Sequence, residues 1–225
     1  MPPAQRRTGL KPPTTVLYEK GQMSEAVATS AYVSRNHHKH TSSNWLYRKH
    51  LERFYGRLLE MIGETECESL LDAGCGEGFV LNAVAEAYPD MKLTGIDTSE
   101  QAIEYAKEHF GEKARFRPGS VYKLPFSDKS FDTVLCSEVL EHVDDPNRAV
   151  GELKRAARKY VVISVPHEPY FQWLNNMGKL IRVTGDPEHV NFWTSKTFPA
   201  FIRAHFDEPS FEWRQFYQIA VARVG

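Results

Sequence analysis

Glycines and an acidic residue cluster where one predicted strand gives way to a helix. The cluster is formed by Asp72, Gly74, Gly76 and Gly78. Glycine permits the positive φ of a tight strand-to-helix turn, and its missing side chain lets a ligand approach the backbone. The amides of such a turn at a helix N-terminus are expected to face the ligand. The carboxylate favours a positively charged group and repels a pyrophosphate, so the cluster predicts a site for a small zwitterion.

A second carboxylate follows the next apolar strand. Asp97 directly follows the segment Lys92–Ile96 and comes 21 residues after Gly76. An acid at about this separation accepts hydrogen bonds from both hydroxyls of a ribose. A nicotinamide dinucleotide is the main competing ligand. Asp72 disfavours it, and so does the single clear parallel strand that follows Val134 and Leu135, because a second mononucleotide-binding half needs more strands.

The elements that position these groups alternate between short apolar runs and helical periodicity. From Ser69 to Tyr160 this alternation predicts a parallel sheet with helices on both faces. The continuous apolar run Tyr160–Val165 predicts a strand buried on both faces and ended by Pro166. Further helices are predicted over 78–87, 99–110, 146–157, 168–182 and 195–205, and an antiparallel strand pair over 211–217 and 219–224.

Two regions differ in pattern along the chain. Residues 1–43 are polar, with a proline-rich start, and are predicted to be a flexible tail that acts as a lid. Residues 44–225 are predicted to form one domain, beginning with an amphipathic helix that Gly63 stops. His37, His38 and His40 lie in the tail without a Cys or a second cluster at ligand spacing, which favours a solvated segment over a metal site.

Composition restricts the class of function. The 28 Lys and Arg residues nearly cancel the 29 Asp and Glu residues, so no global positive field gathers nucleic acid, and we expect no nucleic-acid partner. The three cysteines form no C-x-x-C pair and are too few for a disulfide framework, which fits a reducing, cytoplasmic compartment. No apolar run approaches about 18 residues, so no membrane span is predicted.

The two carboxylates and the glycine cluster resemble those of class I S-adenosylmethionine-dependent methyltransferases. The resemblance covers about residues 66–166, and the segment Cys136–Val143 is similar to that of the quinone-biosynthesis branch (methyltransferase domain 11). It implies a doubly wound, Rossmann-like α/β fold: a seven-stranded sheet, mostly parallel with a C-terminal antiparallel strand, under an N-terminal helical lid. It implies S-adenosylmethionine as cofactor and S-adenosylhomocysteine as product.

The resemblance also implies which residues hold the cofactor. Asp72 and Gly74 would hold the methionine end, with Ser137 beside it, and Asp97 the ribose. Ser120, where many relatives have Asp, and Val121 would line the adenine edge. The full predicted set is Asp72, Gly74, Cys75, Gly76, Asp97, Thr98, Ser120, Val121 and Ser137. The Pro-Gly-Gly turn that relatives carry before the fifth strand is replaced by residues 156–159, which predicts an altered turn.

Candidate bases must lie at the carboxyl ends of the strands, where open α/β sheets bind ligands. His167, directly after Pro166, is the preferred base and His142 the second; Glu168 and His189 are further candidates. We predict no metal. The spacing of Glu138, Glu141 and His142 would place them on one helical face, as metal ligands lie in some relatives.

The methyl acceptor is predicted to be a small molecule that reacts through oxygen or nitrogen. Two other functions stay open from the sequence. One is a partner subunit that binds the cofactor without catalysis, and the other is an RNA or protein methyltransferase.

Overall fold

The computed structural model of the chain describes residues 45–168, 189–213 and 216–225. The strands are β1 (Ser69–Ala73), β2 (Lys92–Asp97), β3 (Arg115–Pro118), β4 (Phe131–Ser137), β5 (Ala157–Pro166), β6 (Ser210–Trp213) and β7 (Tyr217–Arg223). The helices are α1 (Trp45–Glu64), α2 (Phe79–Ala87), α3 (Glu100–Phe110), α4 (Pro146–Ala156) and α5 (Thr197–His205).

The seven strands form one sheet in the order β3-β2-β1-β4-β5-β7-β6. The first five in this order are parallel, and β7 runs antiparallel to both β5 and β6. This confirms the predicted doubly wound sheet with its C-terminal antiparallel strand. The chain winds outward from β1 in one direction and from β4 in the other, so the carboxyl ends of β1 and β4 define the switch point where such sheets bind ligands.

The core lies on both faces of the sheet because successive strand residues point in opposite directions. Leu70 and Leu135 belong to one buried cluster, with residues of α1, α2 and α3. Leu71 and Val134 belong to the other, with residues of α4 and α5. Leu70, Leu71, Val134 and Leu135 are all fully buried, which explains the continuous apolar runs by which the central strands were predicted.

Helix α1 ends differently from the prediction. Gly63 lies inside the helix, so the prediction that it stops the helix is wrong. A Cβ on Gly63 would lie 2.3 Å from Tyr88 Oη, and this hydroxyl donates a hydrogen bond to the carbonyl oxygen of Leu59 at 2.8 Å. The glycine therefore allows a close helix contact. Thr65 caps the C-terminal end of the helix, because its hydroxyl donates a hydrogen bond to the carbonyl oxygen of Ile62 at 2.6 Å.

Several other helix and strand boundaries differ from the prediction by a few residues. Helix α4 passes directly into β5 at Ala157, so residues 156–159 form a helix-to-strand junction with no separate turn. The predicted antiparallel pair is present as β6 and β7. The predicted tail over 1–43, and all but the first residue of the helix predicted over 168–182, lie outside the described residues. Among the helices that the structure describes, none is long and apolar enough to cross a membrane.

Candidate active site

The turn between β1 and α2 is built on glycines with positive φ. Gly74, Gly76 and Gly78 have φ values of 95°, 50° and 82°. The amides of Gly74 and Cys75 both donate to the carbonyl oxygen of Ile96, at 2.8 and 2.9 Å. The turn is therefore tied to the end of β2, as a site spanning the two strand ends requires.

The loop amides are engaged within the protein, contrary to the prediction that they face a ligand. Besides the two bonds to Ile96, the amide of Gly76 donates to Asp97 Oδ2 at 2.9 Å, and that of Gly78 donates to the carbonyl oxygen of Cys75 at 2.9 Å. A dinucleotide pyrophosphate needs such amides as donors. Their internal use therefore favours a ligand without a pyrophosphate.

Asp72 is buried at the carboxyl end of β1. Asp72 is 1% exposed, and its Oδ1 atom has no hydrogen-bond partner among the described residues. Burial is the main cause that raises the pKa of Asp72 to about 8, and the negative charge of Asp97 is the second cause. An isolated buried carboxyl group is costly unless a cation compensates it. An ammonium group of a ligand fits this position.

Asp97 is held in a fixed orientation beside the turn. Its Oδ2 accepts the amide of Gly76 and its Oδ1 the amide of Ser99, each at 2.9 Å. Each carboxylate oxygen keeps a further lone pair for a ligand hydroxyl. Thr98, between Asp97 and Ser99, is exposed.

The predicted adenine segment is attached to the same corner. The amide of Gly119 donates to the backbone oxygen of Asp97 at 2.9 Å. Ser120 Oγ accepts the amide of Tyr122 at 3.2 Å, so part of its capacity is used locally. Val121 is 8% exposed and belongs to the buried cluster that includes Leu71 and Val134. Asp72, Asp97 and Val121 thus supply an anion, a ribose acceptor and an apolar surface, a set that fits S-adenosylmethionine.

The ends of β4 and β5 are joined by hydroxyl groups. Ser137 Oγ lies 2.9 Å from Ser164 Oγ, which in turn donates to Glu138 Oε1 at 3.3 Å. Glu138 has a φ of 57°, in the left-handed region. Ser137, predicted beside the methionine portion, therefore lies in a polar contact between the two strands that flank the switch point.

The segment after β4 is a turn, so the prediction that Glu138, Glu141 and His142 share one helical face is wrong. The positive φ of Glu138 directs its side chain towards Ser164. Glu141 is 1% exposed, and its Oε1 lies 4.0 Å from Nε2 of His142. The ring of His189 lies 4.8 Å from that of His142, between centroids. Sequence spacing could not reveal this grouping, because His189 comes from a distant segment.

His167 and His142 occupy different environments. His167 is 9% exposed at the exit of β5, where its amide donates to the carbonyl oxygen of Phe216 at 2.9 Å. The amide of Glu168 donates to the carbonyl oxygen of Trp193 at 2.8 Å. The side chain of His142 is 34% exposed. Their roles as bases stay predictions.

Gly74→Ala should destabilise the protein by about 1 to 3 kcal/mol, from the positive φ and from overpacking. A Cβ there would lie 2.3 Å from Cγ2 of Val139, so the clash is with the protein as well as with a ligand. Urea denaturation of Gly74→Ala, Val139→Ala and the double variant separates the two costs: Val139→Ala should recover the packing part only. Gly151→Ala, with nothing within 4 Å of the added Cβ, is the control. Equal stability of Gly74→Ala and Gly151→Ala would contradict the described turn.

Comparison with known proteins matches the segment that carries this candidate site. The family model described as a methyltransferase domain matches residues 71–164. This segment, less than half of the chain, is therefore similar to methyltransferase domains. It is similar to an uncharacterized methyltransferase of Schizosaccharomyces pombe, with 32% identity over 111 residues, or 45% of this chain and 39% of the relative.

Two further similarities extend this result. A ubiquinone biosynthesis O-methyltransferase of Bordetella avium is 38% identical over 95 residues, or 40% of this chain and 39% of the relative. The crystal structure of magnesium protoporphyrin IX methyltransferase from Synechocystis with bound SAH superposes with a TM-score of 0.61 at 15% identity, covering 87% of this chain and 90% of that one, which supports the fold. The chain matches 39% of the length of both curated relatives.

Proposed function

We propose that this protein transfers the methyl group of S-adenosylmethionine to an oxygen or nitrogen atom of a small molecule. The observation that carries the proposal is the buried Asp72 carboxyl group, whose Oδ1 has no hydrogen-bond partner within the described part of the chain. It lies on the same sheet edge as the oriented carboxylate of Asp97. The first suits an amino-acid ammonium and the second a ribose. A nucleoside linked to an amino acid has both groups.

The residues of the chain bind and orient the cofactor. Asp72 would hold the ammonium group, Asp97 would accept hydrogen bonds from the two ribose hydroxyls, and Val121 would contact the adenine. S-adenosylmethionine, when bound, supplies a methyl group on a sulfonium for in-line displacement. His167 would take up the proton that the acceptor loses in this displacement. Positioning and desolvation supply much of the acceleration in such a displacement.

A small acceptor is favoured by two observations. The relative from Bordetella avium is named for ubiquinone biosynthesis, and the structural neighbour from Synechocystis is named for magnesium protoporphyrin IX, and both names refer to small molecules. The net charge of −1 provides no general attraction for a polyanion.

Asp97→Ala should weaken binding of S-adenosylhomocysteine by about 1.5 to 3 kcal/mol, because two charge-assisted hydrogen bonds to ribose are lost. Titration calorimetry measures the change. Asp97→Asn separates ligand contact from loop support, since its amide oxygen can still accept one of the two backbone amides that Asp97 holds. Asp90→Ala, at an exposed position, is the control. Unchanged affinity in Asp97→Ala would remove Asp97 from the site.

The reaction itself is tested by incubating the full chain with S-adenosylmethionine labelled in its methyl group and a panel of hydroxylated and amino small molecules. We expect label in one acceptor class and an equal amount of S-adenosylhomocysteine. Cofactor binding without product across the panel would favour a non-catalytic partner subunit. Label in RNA or protein with none in small molecules would replace the proposed acceptor class.

A further inference from the structure

A carboxylate and two imidazoles converge beside the turn that follows β4. Glu141, His142 and His189 each place one ligand atom so that all three atoms lie within 4.8 Å of one another. Glu141 is buried, whereas His142 is partly exposed and His189 is half-buried. The cluster therefore combines a fixed anion with two rings that have room to adjust.

The backbone holds this cluster together across two distant segments. The carbonyl oxygen of Glu141 accepts the amides of Val190 and Asn191, at 2.8 and 3.1 Å. The side-chain amide of Asn191 donates to the carbonyl oxygens of Leu140 and Val143, at 3.0 and 2.6 Å. These four bonds fix the chain next to His189 against the turn that carries Glu141, so the ligand atoms are brought together by the fold.

We propose that Glu141, His142 and His189 form a binding site for one divalent transition-metal ion. Two imidazole nitrogens and one carboxylate oxygen suit Mn²⁺, Fe²⁺, Co²⁺, Ni²⁺ or Zn²⁺, whereas Mg²⁺ and Ca²⁺ prefer an all-oxygen shell. A cation beside Glu141 also offsets the cost of burying a carboxylate. This proposal departs from the expectation, drawn from the sequence, that the chain has no metal site.

The distances agree with a site that closes slightly around the ion. Ligand bonds of about 2.1 Å place two ligands of one ion at most about 4.2 Å apart. Glu141 Oε1 and His142 Nε2 are 4.0 Å apart, within this limit. All three ligand atoms lie within 4.8 Å of one another. Neither imidazole ring is buried, so rotation of the rings would close the remaining gap.

The site lies next to the cofactor loop. Val139 is in the same turn as Glu141 and His142, and its side chain is the group that a Cβ on Gly74 would meet. Three protein ligands leave coordination positions open to an oxygen atom of a second molecule. The proposed ion is thus placed where an acceptor could bind it, although metal binding itself does not depend on the proposed methyl transfer.

Cobalt titration tests the proposal without cofactor or acceptor. The full chain is prepared without an affinity tag and is stripped with a chelator. It carries the substitutions His37→Gln, His38→Gln and His40→Gln, so that these histidines do not contribute to metal binding. We expect one equivalent of Co²⁺ to bind with a visible absorption band, and Zn²⁺ to displace it. Calorimetry with Zn²⁺ should give the same stoichiometry.

Variants identify the ligands. Glu141→Gln and His189→Gln should each weaken Co²⁺ binding by at least about tenfold. His205→Gln, on α5 with its Nδ1 bonded to the carbonyl oxygen of Phe201, should leave it unchanged. Because Glu141 is buried, its variant is checked by circular dichroism, and His189→Gln gives the decisive result if Glu141→Gln fails to fold. Lack of Co²⁺ binding by the parent, or affinity that His189→Gln leaves unchanged, would overturn the proposal.

Discussion

Asp72→Asn should weaken binding of S-adenosylhomocysteine by about 2 to 4 kcal/mol, or roughly 30- to 1000-fold. The replacement keeps the size of the side chain and removes the charge that faces the ligand ammonium in a buried site. Titration calorimetry gives the affinity, and Asp90→Asn, at an exposed position, is the matched control. Equal affinity of Asp72→Asn and the parent would exclude Asp72 from the ammonium site.

The pH dependence of binding gives a second measurement of the same contact. Burial and the charge of Asp97 raise the pKa of Asp72 to about 8, so the ligand-free carboxyl is mostly protonated at pH 7. An ammonium pairs with the ionised form, so binding should release a proton and the affinity of the parent should rise from about pH 6 to 8. At higher pH the amino group of the ligand loses its own charge, so the affinity should stop rising and then fall. The rise should disappear in Asp72→Asn, and titrations in buffers of different ionisation enthalpy count the released protons.

Stability of the ligand-free protein should change in the opposite sense. With the pKa of Asp72 at about 8 in the folded state and near 3.9 in the unfolded chain, the folded state holds the extra proton between these values. The contribution to the free energy of unfolding is fully present below about pH 4 and is lost as pH rises to about 8. Asp72→Asn cannot ionise, so its stability relative to the parent should increase over this window. A constant difference in melting temperature from pH 5 to 8 would contradict the buried state of the carboxyl group.

His167→Ala should reduce the turnover of a hydroxyl or protonated amine acceptor by about 10² to 10⁴, the usual contribution of a general base. His167 lies at the exit of β5 and is 9% exposed, and its backbone is held there by the hydrogen bond that its amide donates to the carbonyl oxygen of Phe216. Single-turnover rates with saturating cofactor separate this loss from weakened binding. The affinity for S-adenosylhomocysteine should change much less than the rate.

Two controls make the result specific to a base. His205→Ala removes a surface histidine on α5 and should leave turnover at the parental value. A histidine base acts only in its neutral form, so the parent should lose activity on acidification while the residual activity of His167→Ala should not follow that profile. A parental rate in His167→Ala with a flat profile from about pH 6 to 9 would show that proximity and desolvation suffice. His142→Ala tests the second candidate in the same assay, and a rate loss that depends on added metal would connect it to the proposed cation site.

The sequence predicted the features that depend on neighbouring residues. Gly74 and Asp97 follow strands whose apolar runs are short and continuous, so the order of turn, helix and strand fixed where both residues lie in the fold. The same local logic predicted β5, because Val161 to Val165 are buried on both faces of the sheet.

Features that depend on contacts between distant segments could not be predicted from the sequence. Gly63 has the composition of a helix stop, but its role is the approach of Tyr88. The spacing of the loop glycines predicted amides that donate to a ligand, but three of these amides donate hydrogen bonds to Ile96 and Asp97. Glu138 has helical spacing from His142, but its positive φ breaks the helix. His189 reaches His142 only through the tertiary fold, which no spacing encodes.

Calorimetric titration of the full chain with S-adenosylhomocysteine and, separately, with NADH tests most directly whether the β1–α2 turn and Asp97 bind S-adenosylmethionine. S-adenosylhomocysteine carries the ammonium and ribose that Asp72 and Asp97 are proposed to hold, whereas NADH carries a pyrophosphate that would meet a buried acid and loop amides already in use. We predict one S-adenosylhomocysteine bound per chain, with proton release near pH 7, and no heat of binding for NADH. Binding of NADH, or the lack of binding of S-adenosylhomocysteine by the folded chain, would contradict the account.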